Sequence, residues 1–146
     1  MEKAIDPRMH SAEHILNQTM VRMFDSGRCF SAHIEKKKSK LDYRFSRDLT
    51  AAEASELEQR ANRVIGENLR VTEEFVNREE AGRNYDLSRL PEEARSEKLR
   101  IIRIGDYDAC PCSGPHVSKT GEIGKLRIIS HDFTDGVLRI RYKLTQ

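Results

Sequence analysis

The chain has no tryptophan and only 6% aromatic residues, which leaves no evident platform for stacking unpaired bases. No stretch approaches the ~20 apolar residues of a membrane span. The opening Met1-Glu2-Lys3-Ala4-Ile5-Asp6-Pro7 lacks the apolar core of a secretory signal, so a cytoplasmic location is expected. Cysteine is scarce: Cys29, Cys110 and Cys112 form an odd set. The last two stand too close in sequence for an easy bridge, which argues against a disulfide framework. In a reducing compartment, clustered Cys and His point instead to metal or catalysis. Net charge is only +2, so no global field marks a polyanionic partner and local patterning matters more.

What is present suits one soluble domain. The 146 residues are 37% hydrophobic and 34% charged, enough for a core without disulfides. Asp6-Pro7 reads as an N-cap and first helical position. The helix it opens runs to about Phe24, with Met9, Ala12, Leu16 and Met23 as core stripe and Gly27 beyond its end. His10, His14 and Asn17 form an adjacent stripe. Two strands, Cys29 to Ile34 and Leu41 to Phe45, flank the basic run 35–40. Thr50-Ala51-Ala52-Glu53 is a capping box opening a second helix to about Leu69. Strands follow at Val71 to Val76, Leu99 to Ile104, Lys125 to Ser130 and Val137 to Leu144. Residues 78–97 read as a polar loop with a short helix around Pro91 to Arg95. This order describes an α+β domain.

Two pairs of ligand-type residues stand out. His10-Ser11-Ala12-Glu13-His14 places two imidazoles at i and i+4, on one helix face. Cys112-Ser113-Gly114-Pro115-His116 places a thiolate and an imidazole in a turn. Together they match the donor set of a tetrahedral zinc site, with Zn2+ the expected cofactor. Four protein ligands are usual for structural zinc, whereas catalytic zinc keeps one position for water or substrate, so both roles stay open. Asp106 and Asp108 are candidates to orient a ligand histidine, against a plain turn role. The first pair also fits H-x-x-E-H, an inverted zinc-peptidase pattern that leaves Cys112 and His116 without a purpose.

The HxxxH pair, followed far downstream by Cys112-x-x-x-His116 and Thr120-Gly121-Glu122-Ile123-Gly124, resembles the editing domains of alanyl- and threonyl-tRNA synthetases, most nearly the free-standing AlaX-type proteins. The resemblance implies a mixed, mostly antiparallel sheet wrapped around a long helix. It implies zinc on His10, His14, Cys112 and His116, and hydrolysis of the ester joining a wrong amino acid to tRNA. His10 and His14 become candidate catalytic residues, working with zinc or water. Alanyl-type members remove serine or glycine, and threonyl-type members serine. The Gly114-Pro115-His116 turn leans toward the threonyl type. By position, Cys29, Ser31 and His33 are candidates to line the amino-acid pocket.

A tRNA partner also asks for cations. Arg139, Arg141 and Lys143 alternate with Leu138, Ile140, Tyr142 and Leu144, so they share one strand face. With Lys36, Lys37, Lys38 and Lys40 they are candidates for phosphate contact, against the alternative of a merely solvated face.

Overall fold

The computed structural model describes residues 5–77, 79, 83, 85 and 98–145. Its elements are α1 (Pro7–Phe24), β1 (Ser31–His33), β2 (Ser39–Arg44), α2 (Ala51–Gly66), β3 (Val71–Asn77), β4 (Lys98–Ile104), β5 (Asp108–Pro111), a 3-10 turn (Thr120–Ile123), β6 (Lys125–Thr134) and β7 (Val137–Thr145). The expected helix around Pro91 and most of segment 78–97 lie outside the described residues.

Asp6 begins α1 as its residue type dictates: its carboxylate accepts the N–H groups of Arg8 and Met9. The helix stops before Gly27, because Asp25 takes the left-handed conformation (φ 55°) and returns its N–H to the Val21 carbonyl. Residues Met9 to Asn17 are buried without a break, the pattern of a helix enclosed on all sides. The capping box of α2 is present in full, Thr50 and Glu53 exchanging hydrogen bonds. That helix ends at Gly66 rather than Leu69, since Asn68 turns the chain left-handed (φ 52°) toward β3.

The strands form two sheets rather than one. β1-β2-β7-β6 make a four-stranded sheet and β3-β4-β5 a three-stranded one, and every described ladder is antiparallel. On the larger sheet Leu41, Tyr43, Leu138, Ile140 and Tyr142 are fully buried and pack in one core with Met9, Leu16, Leu57 and Ile65 of the helices. The intervening Lys40, Asp42, Arg139 and Arg141 take the other face, as a period of two requires. The result is α+β, with α1 embedded against the four-stranded sheet.

Several boundaries differ from the sequence expectation for local reasons. β1 is shorter because the Cys29 N–H is taken by Asn17 Oδ1 instead of a strand. β6 continues to Thr134 through a bulge between Ile128 and Ser130. The short β5 and the 3-10 turn carry too few residues to show a periodicity.

Candidate metal centre

Helix α1 presents His10 and His14 one turn apart, and the segment after β5 brings Cys112 and His116 to the same place. The ligating atoms of these four residues lie within 4.8 Å of one another. Cys112 Sγ lies 3.2 Å from His10 Nε2. A tetrahedral zinc ion with ordinary bond lengths would place such atoms about 3.3–3.6 Å apart. A modest contraction of the wider pairs would therefore close a shell.

Outer partners orient the rings. His10 Nδ1 lies 3.0 Å from the Pro115 carbonyl, and His116 Nδ1 lies 2.9 Å from Ser11 Oγ. Their Nε2 atoms are thus the ones left to ligate. His14 Nδ1 sits 3.7 Å from Asp108 Oδ2, beyond hydrogen-bond length but within charge attraction, and its Nε2 is 3.9 Å from Glu13 Oε2. His14 Nδ1 and His116 Nε2 are buried without a hydrogen-bond partner among the described residues. Buried polar atoms normally find partners; Asp108 stands just beyond reach of His14 Nδ1, whereas the orphaned Nε2 of His116 is a ligand-type nitrogen that a bound cation would satisfy. The donor set, three imidazoles and a thiolate, fits a borderline-soft ion. This group could hold a metal.

The electrostatics favour the ligating forms of the turn residues. Burial alone would push the Cys112 thiol up, yet contacts from His10, His116 and His14 outweigh it and bring the pKa down to about 3. Burial lowers His116 to about 4, with the neighbouring imidazoles opposing its charge. Burial would also lower His14, but Asp108, Cys112 and Glu13 overcome that and raise it to about 9. Asp108 resists its own burial and stays below the usual carboxylate range, held by His14 and by Arg28, whose Nη1 donates to Oδ1 at 2.8 Å.

The turn itself is clamped. Arg100 on β4 donates through Nη1 to the carbonyls of Cys112 (3.2 Å) and Gly114 (2.6 Å). Ser11 Oγ also accepts the Val117 N–H at 3.2 Å. Sequence reasoning missed Arg100, Ser11 and Arg28 because each acts through a long-range contact with no local pattern. Asn17, by contrast, was visible in the His10/His14 stripe.

The other candidates separate clearly. Asp108 starts β5 and is buried beside His14, whereas Asp106 is exposed in the preceding turn and faces a groove shared with Arg22 and Arg60. Cys110 lies outside the four-residue group, and burial pushes its thiol up to about 12. Cys29 is fully buried, its Sγ 4.0 Å from Glu13 Oε1. Ser31 and His33 are exposed on β1, with His33 Nε2 3.0 Å from Glu35. Among the expected tRNA-contacting cations, Arg139 forms a two-point ion pair with Asp42 and Arg141 pairs with Asp132 at 2.8 Å. Their charge is largely spent within the sheet.

Comparison with known proteins agrees with this geometry. Residues 99–141, from β4 through the Cys112–His116 turn into β7, match the family described as "Threonyl and Alanyl tRNA synthetase second additional domain". The chain is 37% identical over 140 residues to the alanine–tRNA ligase of Aeropyrum pernix. It is 30% identical over 138 residues to that of Methanopyrus kandleri and over 142 residues to that of Metallosphaera sedula. Each alignment covers 92% of this chain but 15% of the ligase, so the chain spans about one-seventh of the length of these relatives. The enclosed α1, the antiparallel sheets and the convergence of HxxxH with CxxxH thus belong to a threonyl/alanyl-tRNA synthetase editing-domain-like protein.

Proposed function

We propose that this chain is a zinc-dependent deacylase that removes serine or glycine from mischarged tRNA(Ala), acting in trans as the resemblance to free-standing editing proteins implies. The observation that carries the reading is the meeting of the buried His10 and His14 with the half-buried Cys112 and His116 at one point, in a chain similar to alanine–tRNA ligases over 92% of its length. The named relatives favour tRNA(Ala) over tRNA(Thr), although the Gly114-Pro115-His116 turn had leaned the other way. The reaction adds water across the ester, breaking the acyl C–O bond and releasing the amino acid and a tRNA hydroxyl.

Zinc, when held by the four residues, supplies fixed positive charge beside the reacting ester and rigidifies the turn. The chain's own groups do the rest. His10 and His14 are oriented by Pro115 and Asp108 and stand at the wall of the site. Glu13 and Asn17 on α1, and Cys29 just before β1, are buried beside them. Asn17 Oδ1 accepts from Cys29 N–H (3.1 Å) and Tyr43 Oη (2.8 Å), which fixes its amide orientation. Its Nδ2 is left buried without a partner among the described residues, a donor suited to a serine hydroxyl. A site that must satisfy such a donor discriminates strongly against side chains that lack the acceptor.

Four protein donors would also fill a tetrahedral shell, and that observation favours a second reading, a structural zinc module that binds tRNA without turnover. Zinc-loaded protein and a His14→Ala variant, offered Ser-tRNA(Ala), Gly-tRNA(Ala), Ser-tRNA(Thr) and correctly charged controls, separate the two. Selective release from one mischarged species, lost in the variant, supports the deacylase. Binding without release from any of them supports the module.

A further inference from the structure

We infer that the end of the four-stranded sheet nearest His10 is the surface that grips the tRNA backbone, through Lys36, Lys37, Lys38, Lys40, Arg127 and Lys143. The inference deepens the reading of the chain as a tRNA deacylase and rests on it for the identity of the polyanion.

The register of the sheet assembles these cations from three separate segments. His33 pairs with Lys40 and Ser39 with Tyr142, so the β1–β2 turn carrying Lys36 to Lys38 lies at the C-terminal end of β7. Lys143 pairs with Arg127 at the start of β6. On the outer face, Lys40, Lys143 and Arg127 therefore stand at one end, while Asp42 and Asp132 lie farther along, opposite Arg139. The six cations have no carboxylate within ion-pairing distance among the described residues, in contrast to Arg139 and Arg141. Nearby acids are engaged elsewhere: Glu35 with His33 at 3.0 Å, and Glu122 with the Lys119 N–H at 2.7 Å.

The same end is fastened to the candidate site. Tyr142, between Arg141 and Lys143, donates its hydroxyl to the Met9 carbonyl at 3.0 Å. Arg8 donates to the Ile123 carbonyl at 2.7 Å, immediately before β6. The first turn of α1, which carries His10, is thus held against the inner face of this end of the sheet, the cations standing on its outer face. An RNA strand whose 3′ end enters the site would pass its phosphates over unpaired cations there. Unpaired surface cations release counterions when they meet phosphate, and that release gives such binding its salt dependence.

The test is equilibrium binding of uncharged tRNA to the full chain across a potassium chloride series, which needs neither turnover nor metal. The triple variant Lys40→Ala/Arg127→Ala/Lys143→Ala should bind roughly tenfold more weakly, with a log–log salt slope shallower by about 2–3. The double variant Asp42→Asn/Arg139→Gln removes a neutralised pair from the same face and should change neither quantity. Equal losses in both variants, or none in the triple variant, overturn the inference while leaving deacylation untouched. Weakened tRNA binding in the triple variant upholds the surface even if no mischarged tRNA is hydrolysed, which would count against the deacylase alone. Binding of the triple variant that weakens only toward phosphatidylserine vesicles, with tRNA binding unchanged, also overturns it. All three side chains in the triple variant reach solvent, so its thermal unfolding should match the parent and confirm that folding is intact.

Discussion

Gly114 lies against the imidazole of His10 so closely that a Cβ built on it would sit 2.4 Å from His10 Cε1 and 2.8 Å from Nδ1. The ring is not free to yield, since Nδ1 meets the Pro115 carbonyl and Nε2 faces Cys112. Gly114→Ala should therefore move either the ring or the turn, at an overpacking cost of about 1–3 kcal/mol. Competition against a chromophoric chelator should show weakened zinc binding, with denaturant unfolding reporting the stability loss. Unchanged metal affinity would place the Gly114–His10 contact outside the functional centre.

Arg100 binds two carbonyls of the same turn with one nitrogen. Arg100→Ala should leave the sheet folded but loosen the turn that holds Cys112 and His116, weakening zinc binding by about 10–100-fold, as loss of outer support does at metal sites. Arg100→Lys keeps the charge but loses the planar fork, and should recover only part of the affinity. The titration that checks this is metal binding, with circular dichroism confirming the fold.

Thr120 has a structural task. Its Oγ1 accepts the Leu69 N–H at 2.8 Å and reaches the carbonyls of Val64 and Ile65 at 3.1 and 3.2 Å, tying the end of α2 to the 3-10 turn. Thr120→Val keeps the shape but leaves the part-buried Leu69 N–H without its acceptor, at about 1–3 kcal/mol. Denaturant unfolding should shift by that amount, while the zinc affinity of the folded protein stays close to the parent's.

The Asp42–Arg139 pair predicts a pH dependence. Hydrogen bonds from Arg139 hold the Asp42 carboxyl below its usual range, against a smaller opposing effect of burial. A carboxyl depressed in the folded state adds stability that is fully present above its unfolded value, about 3.9, and is lost as pH falls through the folded value. Arg139 is about one-third exposed, so solvent screening keeps the contribution small. Asp42→Asn should cost about 0.2–1 kcal/mol at pH 7. Thermal unfolding followed down the pH scale should show parent and variant converging as pH falls below the usual carboxylate range.

Much of this arrangement was legible in the sequence where a local rule governs. Asp6-Pro7 and Thr50-x-x-Glu53 announce helix starts because capping is settled within four residues. The HxxxH spacing announces a shared face because helical geometry fixes it. The alternation of Val137 to Leu144 announces a half-buried strand. Legibility fails where partners are distant. Nothing local to Arg28 or Arg100 shows that one will hold Asp108 and the other the Cys112 turn. Asp106 and Asp108 look equivalent in sequence, yet only the second enters β5 and turns inward. Arg139 and Arg141 read as free cations until the register sets Asp42 and Asp132 beside them. Sheet partition was hidden for the same reason, since strand pairing is a property of the whole chain.

The most direct measurement is the rate of ester hydrolysis of Ser-tRNA(Ala) by zinc-loaded protein, beside Ala-tRNA(Ala) and a Cys112→Ser variant of known metal content. The account predicts hydrolysis of the seryl ester, sparing of the alanyl ester, and loss of both activity and bound zinc in the variant. Full activity in a Cys112→Ser protein that binds no metal would contradict it.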